Sequence, residues 1–195
     1  MTTDALTLRA AVLPRSTAVT DTALVVGGAA LISLSGLVSI PLWFTPVPLT
    51  LQTFAVLSIG AALGSTRGGL ATLLYLLVGM AGLPVYAEGA SGVEVVLGAT
   101  GGYLVGMVLA AVLVGSLAER RRMDRRVHTA ALSMLAGAAL TLAVGTVWLA
   151  AVLDVSLSKA VALGVTPFLV VEALKVAAAT LALPTAWKLL SLLRK

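Results

Sequence analysis

Cysteine is absent from the chain, and histidine and charged residues are scarce. Without cysteine, neither a disulfide framework nor a thiolate-bound metal site is possible. Charged residues make up only 11% of the 195 residues, whereas a soluble domain carries about 25% because its surface must face water. Since 59% of the residues are hydrophobic, the composition excludes an ordinary soluble globule and predicts an integral membrane protein that lipid surrounds.

The motifs of several enzyme classes are absent as well. The chain has no G-x-x-x-x-G-K-[ST] loop, so it cannot hydrolyse ATP in the manner of P-loop proteins. It also lacks the nucleophile-elbow pattern G-x-S-x-G and the zinc-protease pattern H-E-x-x-H. His128, the single histidine, lies beside a run of arginines and is expected to be a solvated loop residue. We therefore predict a protein that is not an enzyme and has neither a metal nor a cofactor of its own.

Long stretches without charge run through most of the chain. A transmembrane helix needs about 20 predominantly apolar residues to cross roughly 30 Å of hydrocarbon. Between Asp21 and Arg67 no residue is charged, which leaves room for two helices, and Pro41, Pro46 and Pro48 divide them. The same reasoning predicts one all-α transmembrane domain over residues 1–195, with six spans. The predicted spans are about 21–42, 49–66, 68–86, 100–118, 129–152 and 167–190.

The positive charges predict the orientation of these spans, because lysine and arginine concentrate in cytoplasmic loops. With both termini in the cytoplasm, 11 of the 13 lysine and arginine residues fall on the cytoplasmic side. The external loops hold Lys159, together with the acids Glu88, Glu94 and Asp154. The basic segment Glu119–Arg126 is interpreted as a topology anchor rather than a nucleic-acid site, and contact with anionic lipid is left open.

Small residues four positions apart predict close packing of helices in lipid, where the hydrophobic effect does not drive association. We expect the three clearest strips to pack inside the bundle, with docking against another membrane subunit as the alternative. A weaker strip, Ala23/Gly27, lies on the first helix. The three clear strips are Gly60/Gly64/Gly68, Gly102/Gly106/Ala110 and Gly137/Thr141/Gly145.

Two ionisable residues, Glu172 and Lys175, lie inside the last predicted span. Such residues are costly in a membrane, face the bundle interior or a cavity, and are candidates for function. Three positions apart on a helix, they share one face and can pair. If the helix begins at Pro167, they lie about 7.5 and 12 Å along its axis, in the outer half of the membrane. The pair suits a solute with amide-like donors and an anion, and a purely structural ion pair is the alternative.

Three further segments near the outer side combine polar, aromatic and glycine residues. The segment Thr45–Thr53 is stiffened by prolines, Gly79–Tyr86 leads into an external loop, and Gly98–Tyr103 heads the fourth predicted span. Glycine lets a backbone approach a ligand closely, and tyrosine can stack on a ring or hydrogen-bond to it. The candidate ligand contacts in and beside these segments are Gln52, Tyr86, Glu88, Thr100, Gly101, Gly102 and Tyr103.

Taken in order, these segments resemble the BioY family, the biotin-specific substrate-binding (S) components of energy-coupling-factor (ECF) transporters. The resemblance lies in P-V-P-x-T-x-Q-T, G-x-x-G-x-P-V-Y and G-A-T-G-G-Y between Pro41 and Glu119, and it returns in Pro167–Lys175. It implies a six-helix S-component bundle in the plasma membrane of a prokaryote, with biotin captured from the outer face. It also implies a transmembrane coupling subunit and a pair of ATPases as partners, and toppling of the S component to deliver biotin.

Two positions depart from the pattern of this family. An aspartate is common where the chain has Glu172, so the carboxylate lies further from the backbone here. Ala99 replaces a proline that is usual in the glycine-rich segment, which loosens that loop, whereas Lys175 matches directly. The resemblance implies that Glu172 accepts hydrogen bonds from the ureido N–H groups of biotin and that Lys175 faces an anionic or carbonyl oxygen. Which end of biotin each residue meets stays open.

Other functions remain as alternatives. An S component for another vitamin would share the fold and differ only in its ligand. An intramembrane enzyme would use Glu172 as an acid or base, although no nucleophile or metal constellation accompanies this residue in the sequence. A membrane scaffold without a solute would have no saturable ligand at all.

Overall fold

The computed structural model describes residues 7–13 and 15–193. These residues form a mostly helical structure with one two-stranded β-hairpin, β1 (Ser39–Leu42) and β2 (Thr45–Thr50), and two single turns of 3-10 helix, Ala87–Gly89 and Thr166–Phe168. The α-helices are α1 (Leu8–Val12), α2 (Ala18–Leu37), α3 (Gln52–Leu63), α4 (Ser65–Met80), α5 (Val93–Leu97), α6 (Gly101–Arg121), α7 (Val127–Leu153), α8 (Leu157–Gly164) and α9 (Leu169–Leu193).

Within residues 7–13 and 15–193, four segments are long and apolar enough to cross a membrane. They are α2, α6, α7 and the stretch Leu157–Leu193, which contains α8 and α9. The helix α3 is apolar but has only 12 residues, and α4 has 16. The chain is a multi-pass membrane protein, as its composition predicts. The count of six spans stays a prediction, because within the described residues only these four segments reach the length of a full span. The cytoplasmic position of both termini stays a prediction as well.

The helix α6 packs against α3, α4 and α7, and small residues make these contacts close. A methyl group added at Gly60 on α3 would lie 2.7 Å from the carbonyl oxygen of Ala111 on α6. One added at Gly106 on α6 would lie 3.0 Å from the Cα of Thr141 on α7. The prediction of internal packing is therefore confirmed for all three clear strips. A methyl group added at Gly27 on α2 would meet no atom within 4 Å, so this position faces outward.

The segment between α2 and α3 differs from the prediction. The first predicted span, 21–42, runs into this segment, whereas α2 ends at Leu37 and a hairpin follows. Pro41, Pro46 and Pro48 have no backbone N–H to donate, so a helix cannot continue through them. Instead β1 pairs antiparallel with β2, which makes the fold mostly helical rather than all-α.

A single glycine separates α3 from α4. The predicted spans 49–66 and 68–86 meet at Arg67, whereas the break lies at Gly64. The φ of Gly64 is +91°, a conformation that residues with a side chain rarely adopt. A methyl group at this position would also lie 2.1 Å from the carboxylate of Glu119. The glycine therefore permits both the turn and the close approach of α6.

The last helix begins slightly later than predicted. The sixth predicted span starts at Pro167, but that proline lies in the 3-10 turn and α9 starts at Leu169. Proline suits such a first turn because its missing N–H has no intrahelical partner there. Glu172 and Lys175 consequently lie about 4.5 and 9 Å along α9, which is nearer to its N-terminus than the sequence implied.

The two ends of the bundle differ in charge. One end, here called the arginine end, contains the start of α2, the start of α4 and the turn between α6 and α7. There Asp21 accepts hydrogen bonds from Arg9 at 3.0 Å and from Arg67 at 2.8 Å, which ties α1, α2 and α4 together. The opposite end contains the hairpin and the starts of α3, α6 and α9.

Candidate ligand-binding site

A cavity of about 220 Å³ lies where α3, α6 and α9 begin, and this end of the bundle is called the cavity end. One water molecule needs only about 10–15 Å³ of such space, so the cavity is large enough for a small organic molecule. The strand β2 and the connection between α4 and α5 line it on one side, and α3, α6, α7 and α9 line it from within the bundle. Mostly apolar walls with a few polar groups are typical of sites for small ligands.

Glu172 and Lys175 lie in the wall of this cavity, on one face of α9. Both are buried, with 8% and 6% of their surface exposed. The ammonium group of Lys175 donates a hydrogen bond to Oε1 of Glu172. The hydroxyl of Thr53 on α3 donates to the same oxygen at 3.2 Å. Two donors therefore hold one carboxylate oxygen, and the pair as a whole carries no net charge.

The second carboxylate oxygen of Glu172 has a different environment. Oε2 is buried and has no hydrogen-bond partner among the described residues. Leaving a buried acceptor unsatisfied costs about 1–3 kcal/mol, and more when the group is charged. Because Glu172 lines the cavity, a donor from a bound solute can satisfy this oxygen. The site thus offers one strong acceptor for an N–H or O–H group.

Gln52, at the start of α3, is buried and lines the cavity. Its side-chain amide donates to the hydroxyl of Tyr75 on α4 and accepts from the hydroxyl of Thr50 at 3.3 Å. A methyl group added at Gly36 on α2 would lie 2.5 Å from this amide nitrogen. Gln52 therefore joins the hairpin to α3 and α4 and fixes the position of β2 beside the cavity.

Tyr86 and Tyr103 line the cavity with their hydroxyl groups already engaged. The hydroxyl of Tyr86 donates to the carbonyl of Leu76 at 2.6 Å, and that of Tyr103 donates to the carbonyl of Gly164 at 2.9 Å. Because both hydroxyls have backbone partners, these residues offer a solute ring surface rather than hydrogen bonds.

Glu88 and Thr100 also line the cavity, nearer to its rim. Glu88 is exposed and has a φ of +59°, and its backbone N–H donates to the hydroxyl of Ser39 at 3.1 Å. This bond connects the loop after α4 to the hairpin. Thr100 donates to the carbonyl of Val95 at 3.3 Å. Both residues therefore organise the loops around the opening.

Gly101 and Gly102 are not among the described residues that line the cavity, so their role as ligand contacts stays a prediction. A methyl group added at Gly101 would lie 1.7 Å from the carbonyl oxygen of Val96 on α5. One added at Gly102 would lie 2.2 Å from the Cβ of Trp148 on α7. These glycines let α6 begin against α5 and α7. Their close backbone approach serves packing between helices.

Several lining residues were not predicted as ligand contacts. Thr53 directly follows Gln52 in a segment that the sequence marked as polar, so a signal for it existed. Met107 and Thr141 lie on α6 and α7, where the sequence pattern indicates only helix packing. Phe168 precedes α9 by one residue and reads as an ordinary apolar side chain. The lining residues outside the predicted set include Thr53, Leu104, Met107, Ala138, Thr141, Leu142 and Phe168.

Comparison of the sequence with known protein families identifies the family of this chain. The sequence model of the BioY family matches residues 6–192. The chain belongs to the BioY family. The match extends over the hairpin, the cavity and the arginine end alike, so the resemblance seen in separate sequence segments is confirmed along nearly the whole chain.

Members of the BioY family from two other organisms align over most of the chain. It is 38% identical to the biotin transporter BioY2 of Lactococcus lactis subsp. cremoris over 150 residues, which cover 76% of this chain and 79% of that protein. It is 37% identical to the probable biotin transporter BioY of Pyrococcus horikoshii over 136 residues, or 70% of this chain and 78% of that protein. These relatives are named as transporters, and the prediction of a protein that is not an enzyme is confirmed.

A solved structure shares the fold of this BioY-family chain. A crystal structure of the S-component for biotin from an ECF-type ABC transporter matches with a TM-score of 0.80. The match covers 89% of this chain and 95% of that chain at 23% sequence identity. At this identity the likeness establishes the fold, which is that of an S component.

Proposed function

We propose that the chain binds biotin in the cavity and acts as the substrate-specific subunit of an ECF-type transporter. The observation that carries the proposal is the buried, unpartnered Oε2 of Glu172 in the cavity of a BioY-family fold. The ureido group of biotin has two N–H donors, which match this acceptor. Membership of the BioY family and the names of its relatives support biotin over another solute.

The chemistry of the walls favours one placement of biotin. Its ureido end lies against Glu172, where an N–H group satisfies Oε2, and its ring system contacts Tyr103, Met107 and Phe168. Lys175 is already bound to Glu172, so it donates to the ureido carbonyl without leaving the pair. The carboxylate tail of biotin then points to the rim, where water solvates it.

The side from which biotin enters follows from the charges. The arginines lie at the end of the bundle opposite to the cavity, and arginine-rich loops are retained in the cytoplasm. The cavity then opens to the outer face of the plasma membrane of a prokaryote. Both termini lie in the cytoplasm in this orientation, with six membrane-crossing helices between them.

The energy for uptake must come from other subunits. The sequence contains no P-loop, so ATP is hydrolysed by a pair of partner ATPases that a transmembrane coupling subunit connects to this chain. Binding itself needs neither partner. Proteoliposomes that contain the chain alone are expected to bind biotin without ATP-dependent accumulation, and sustained accumulation would contradict this assignment of roles.

Equilibrium binding to purified protein in detergent tests the proposed ligand. We expect saturable binding of one biotin per chain by isothermal titration, and a large loss of affinity for biotin methylated on the ureido nitrogens. Thiamine and riboflavin serve as comparison solutes. Tighter binding of another vitamin would identify an S component of different specificity, and the absence of any saturable ligand would indicate a scaffold.

A further inference from the structure

A second cleft, of about 380 Å³, lies at the arginine end, outside the proposed biotin site. The residues that line it are Arg121, Arg122, Arg125, Arg126 and Thr129. No acidic side chain is among the lining residues in the described part of the chain. Four guanidinium groups around one concave space favour an anion with several oxygens, because each planar guanidinium can form two parallel hydrogen bonds to a phosphate.

The backbone of the turn between α6 and α7 produces this arrangement. Arg122 ends α6 with a φ of +50°, and its backbone N–H bonds to the carbonyl of Ala118 at 3.0 Å. The chain reverses within five residues, and α7 begins at Val127. Arginines from the last turn of α6 and from the start of α7 are thereby brought around the same space.

Neither acid of the basic segment lines the cleft. The carboxylate of Glu119 accepts from the hydroxyl of Ser65 at 2.6 Å. Asp124 is 1% exposed and accepts from the indole N–H of Trp187 on α9. The guanidinium of Arg125 lies 4.3 Å from the centre of the Trp187 ring, which holds it by a cation–π contact. Because the charge of Asp124 also acts on Arg125, the positive charge available at the cleft rests chiefly on the exposed Arg121 and Arg126.

The start of α7 adds to the attraction for an anion. Its N-cap residue, Arg126, makes no side-chain capping bond, so the first backbone N–H groups of a 27-residue helix are not satisfied by a cap. Aligned peptide dipoles give such an N-terminus about half a positive elementary charge. The hydroxyl of Thr129, in the first turn, donates to the carbonyl of Met123 at 2.9 Å, which ties the start of α7 to the turn before it.

The apolar surface beside the cleft indicates which anion it binds. Val127, Leu132 and Leu135 on α7 are each more than half exposed, so an apolar surface for lipid begins directly beside the arginines. The cleft thus lies at the level of the lipid headgroups. We propose that it binds the phosphate of an anionic phospholipid, in the manner of basic pockets between transmembrane helices.

Native mass spectrometry of the full-length protein in detergent tests this proposal, with phosphatidylglycerol and phosphatidylcholine titrated separately. We expect retention of phosphatidylglycerol that the double substitution Arg121→Gln with Arg126→Gln weakens at least about tenfold, since hydrogen bonds to charged groups contribute about 1.5–3 kcal/mol each and 1.4 kcal/mol is tenfold. A matched control, Arg120→Gln with Lys188→Gln, removes the same charge from the same end outside the cleft and should retain the lipid. Biotin titration of both variants checks that the fold is intact.

Two further experiments distinguish specific recognition of the lipid phosphate from non-specific electrostatic attraction. Arg121→Lys with Arg126→Lys keeps the charge but loses the two-pronged geometry, so we expect weaker retention of phosphatidylglycerol than in the wild type. Inorganic pyrophosphate is added as a soluble competitor and should displace the lipid only poorly. Equal retention of the two lipids, equal behaviour of the cleft and control variants, or binding of pyrophosphate in place of the lipid would overturn the proposal.

Discussion

The cavity end and the arginine end of the bundle hold their charges in opposite ways. At the cavity end, Glu172 and Lys175 are buried and paired on a single helix. At the arginine end, most of the basic side chains, such as Arg120, Arg121 and Arg126, are exposed. A buried charge needs its partner, whereas exposed ion pairs contribute little because water screens them. We therefore expect substitutions of the same type to affect binding at one end and orientation or lipid contact at the other.

The largest expected difference between the two ends is in the labelling of introduced cysteines from outside the cell, which should be all or none. The chain has no cysteine, so single cysteines can be introduced into an unreactive background. Ser158→Cys, in the connection between α7 and α9, should react with an impermeant thiol reagent added to intact cells. His128→Cys, at the arginine end, should react only after the membrane is permeabilised. Both native residues are exposed, so burial cannot account for a difference, and the reverse pattern would invert the orientation.

Removing one charge of the buried pair should have the largest effect on binding. Lys175→Met leaves the carboxylate of Glu172 uncompensated, which typically costs about 3–5 kcal/mol. At 1.4 kcal/mol per tenfold, this is a loss of about 100-fold to several thousand-fold in biotin affinity. Lys188→Met on the same helix is the matched control, because Lys188 is exposed at the arginine end. Isothermal titration on monodisperse protein measures both.

Substitutions of Glu172 provide a second test of the buried pair. Glu172→Gln should weaken binding about as much as Lys175→Met, since it leaves the ammonium without its partner. Glu172→Asp should be mild, because it keeps the charge on the same face of α9. If the pair serves only to hold the helix, each variant would instead lower the folded yield and the surviving protein would bind biotin with wild-type affinity.

A smaller effect is expected from filling the space beside Tyr86. A methyl group at Gly79 would lie 2.2 Å from the ring of this tyrosine, so Gly79→Ala must displace a residue that lines the cavity. Overpacking of this kind typically costs about 1–3 kcal/mol, and both the unfolding midpoint and biotin affinity should fall. Gly27→Ala, which meets open space, should leave both unchanged. Equal behaviour of the two variants would show that the site tolerates movement of Tyr86.

The smallest expected effect is a pH-dependent change in stability when Asp124, at the arginine end, is substituted. Burial raises the pKa of Asp124 above its ordinary value of 3.8, while the bond from Trp187 and the charge of Arg125 oppose this. When folding raises the pKa of a carboxyl group, the protonated group stabilises the folded state. This contribution is present in full below the unfolded pKa of 3.8 and is lost as the pH rises through the pKa of the folded state. The unfolding midpoint of Asp124→Asn should therefore rise relative to that of the wild type as the pH increases from about 4, until the difference reaches a plateau.

Biotin affinity of Asp124→Asn should match the wild type at every pH, because residue 124 lies at the other end of the bundle. The quantity to follow is the difference in unfolding midpoint between variant and wild type, since all other groups titrate in both. A difference that is constant with pH, or that drifts in favour of the wild type, would contradict the raised pKa of Asp124.

The sequence alone predicted the features that depend on composition or on a single helix. Gaps between charges located the apolar segments, and the rarity of ionisable groups in lipid pointed to Glu172 and Lys175. The hairpin was not predicted, because its strands pair across residues that carry no local signal beyond their prolines. Gly101 and Gly102 were assigned to the ligand because glycine permits close approach to a ligand and to a helix alike. In the structure, Val96 and Trp148 occupy the space beside these two glycines, and the sequence gives no sign of either contact.

The shortness of α3 has a consequence for where a solute rests. Its 12 residues measure about 18 Å along the axis, against roughly 30 Å of hydrocarbon. Most of α3 is buried among its neighbours, so the mismatch is hidden from lipid and the hairpin occupies the remaining thickness. In the proposed orientation, we therefore expect Gln52 and Thr53, its first residues, to lie below the membrane surface. Under the proposed function, a solute bound there would have crossed part of the bilayer before any partner acts, which would shorten the distance that delivery must cover.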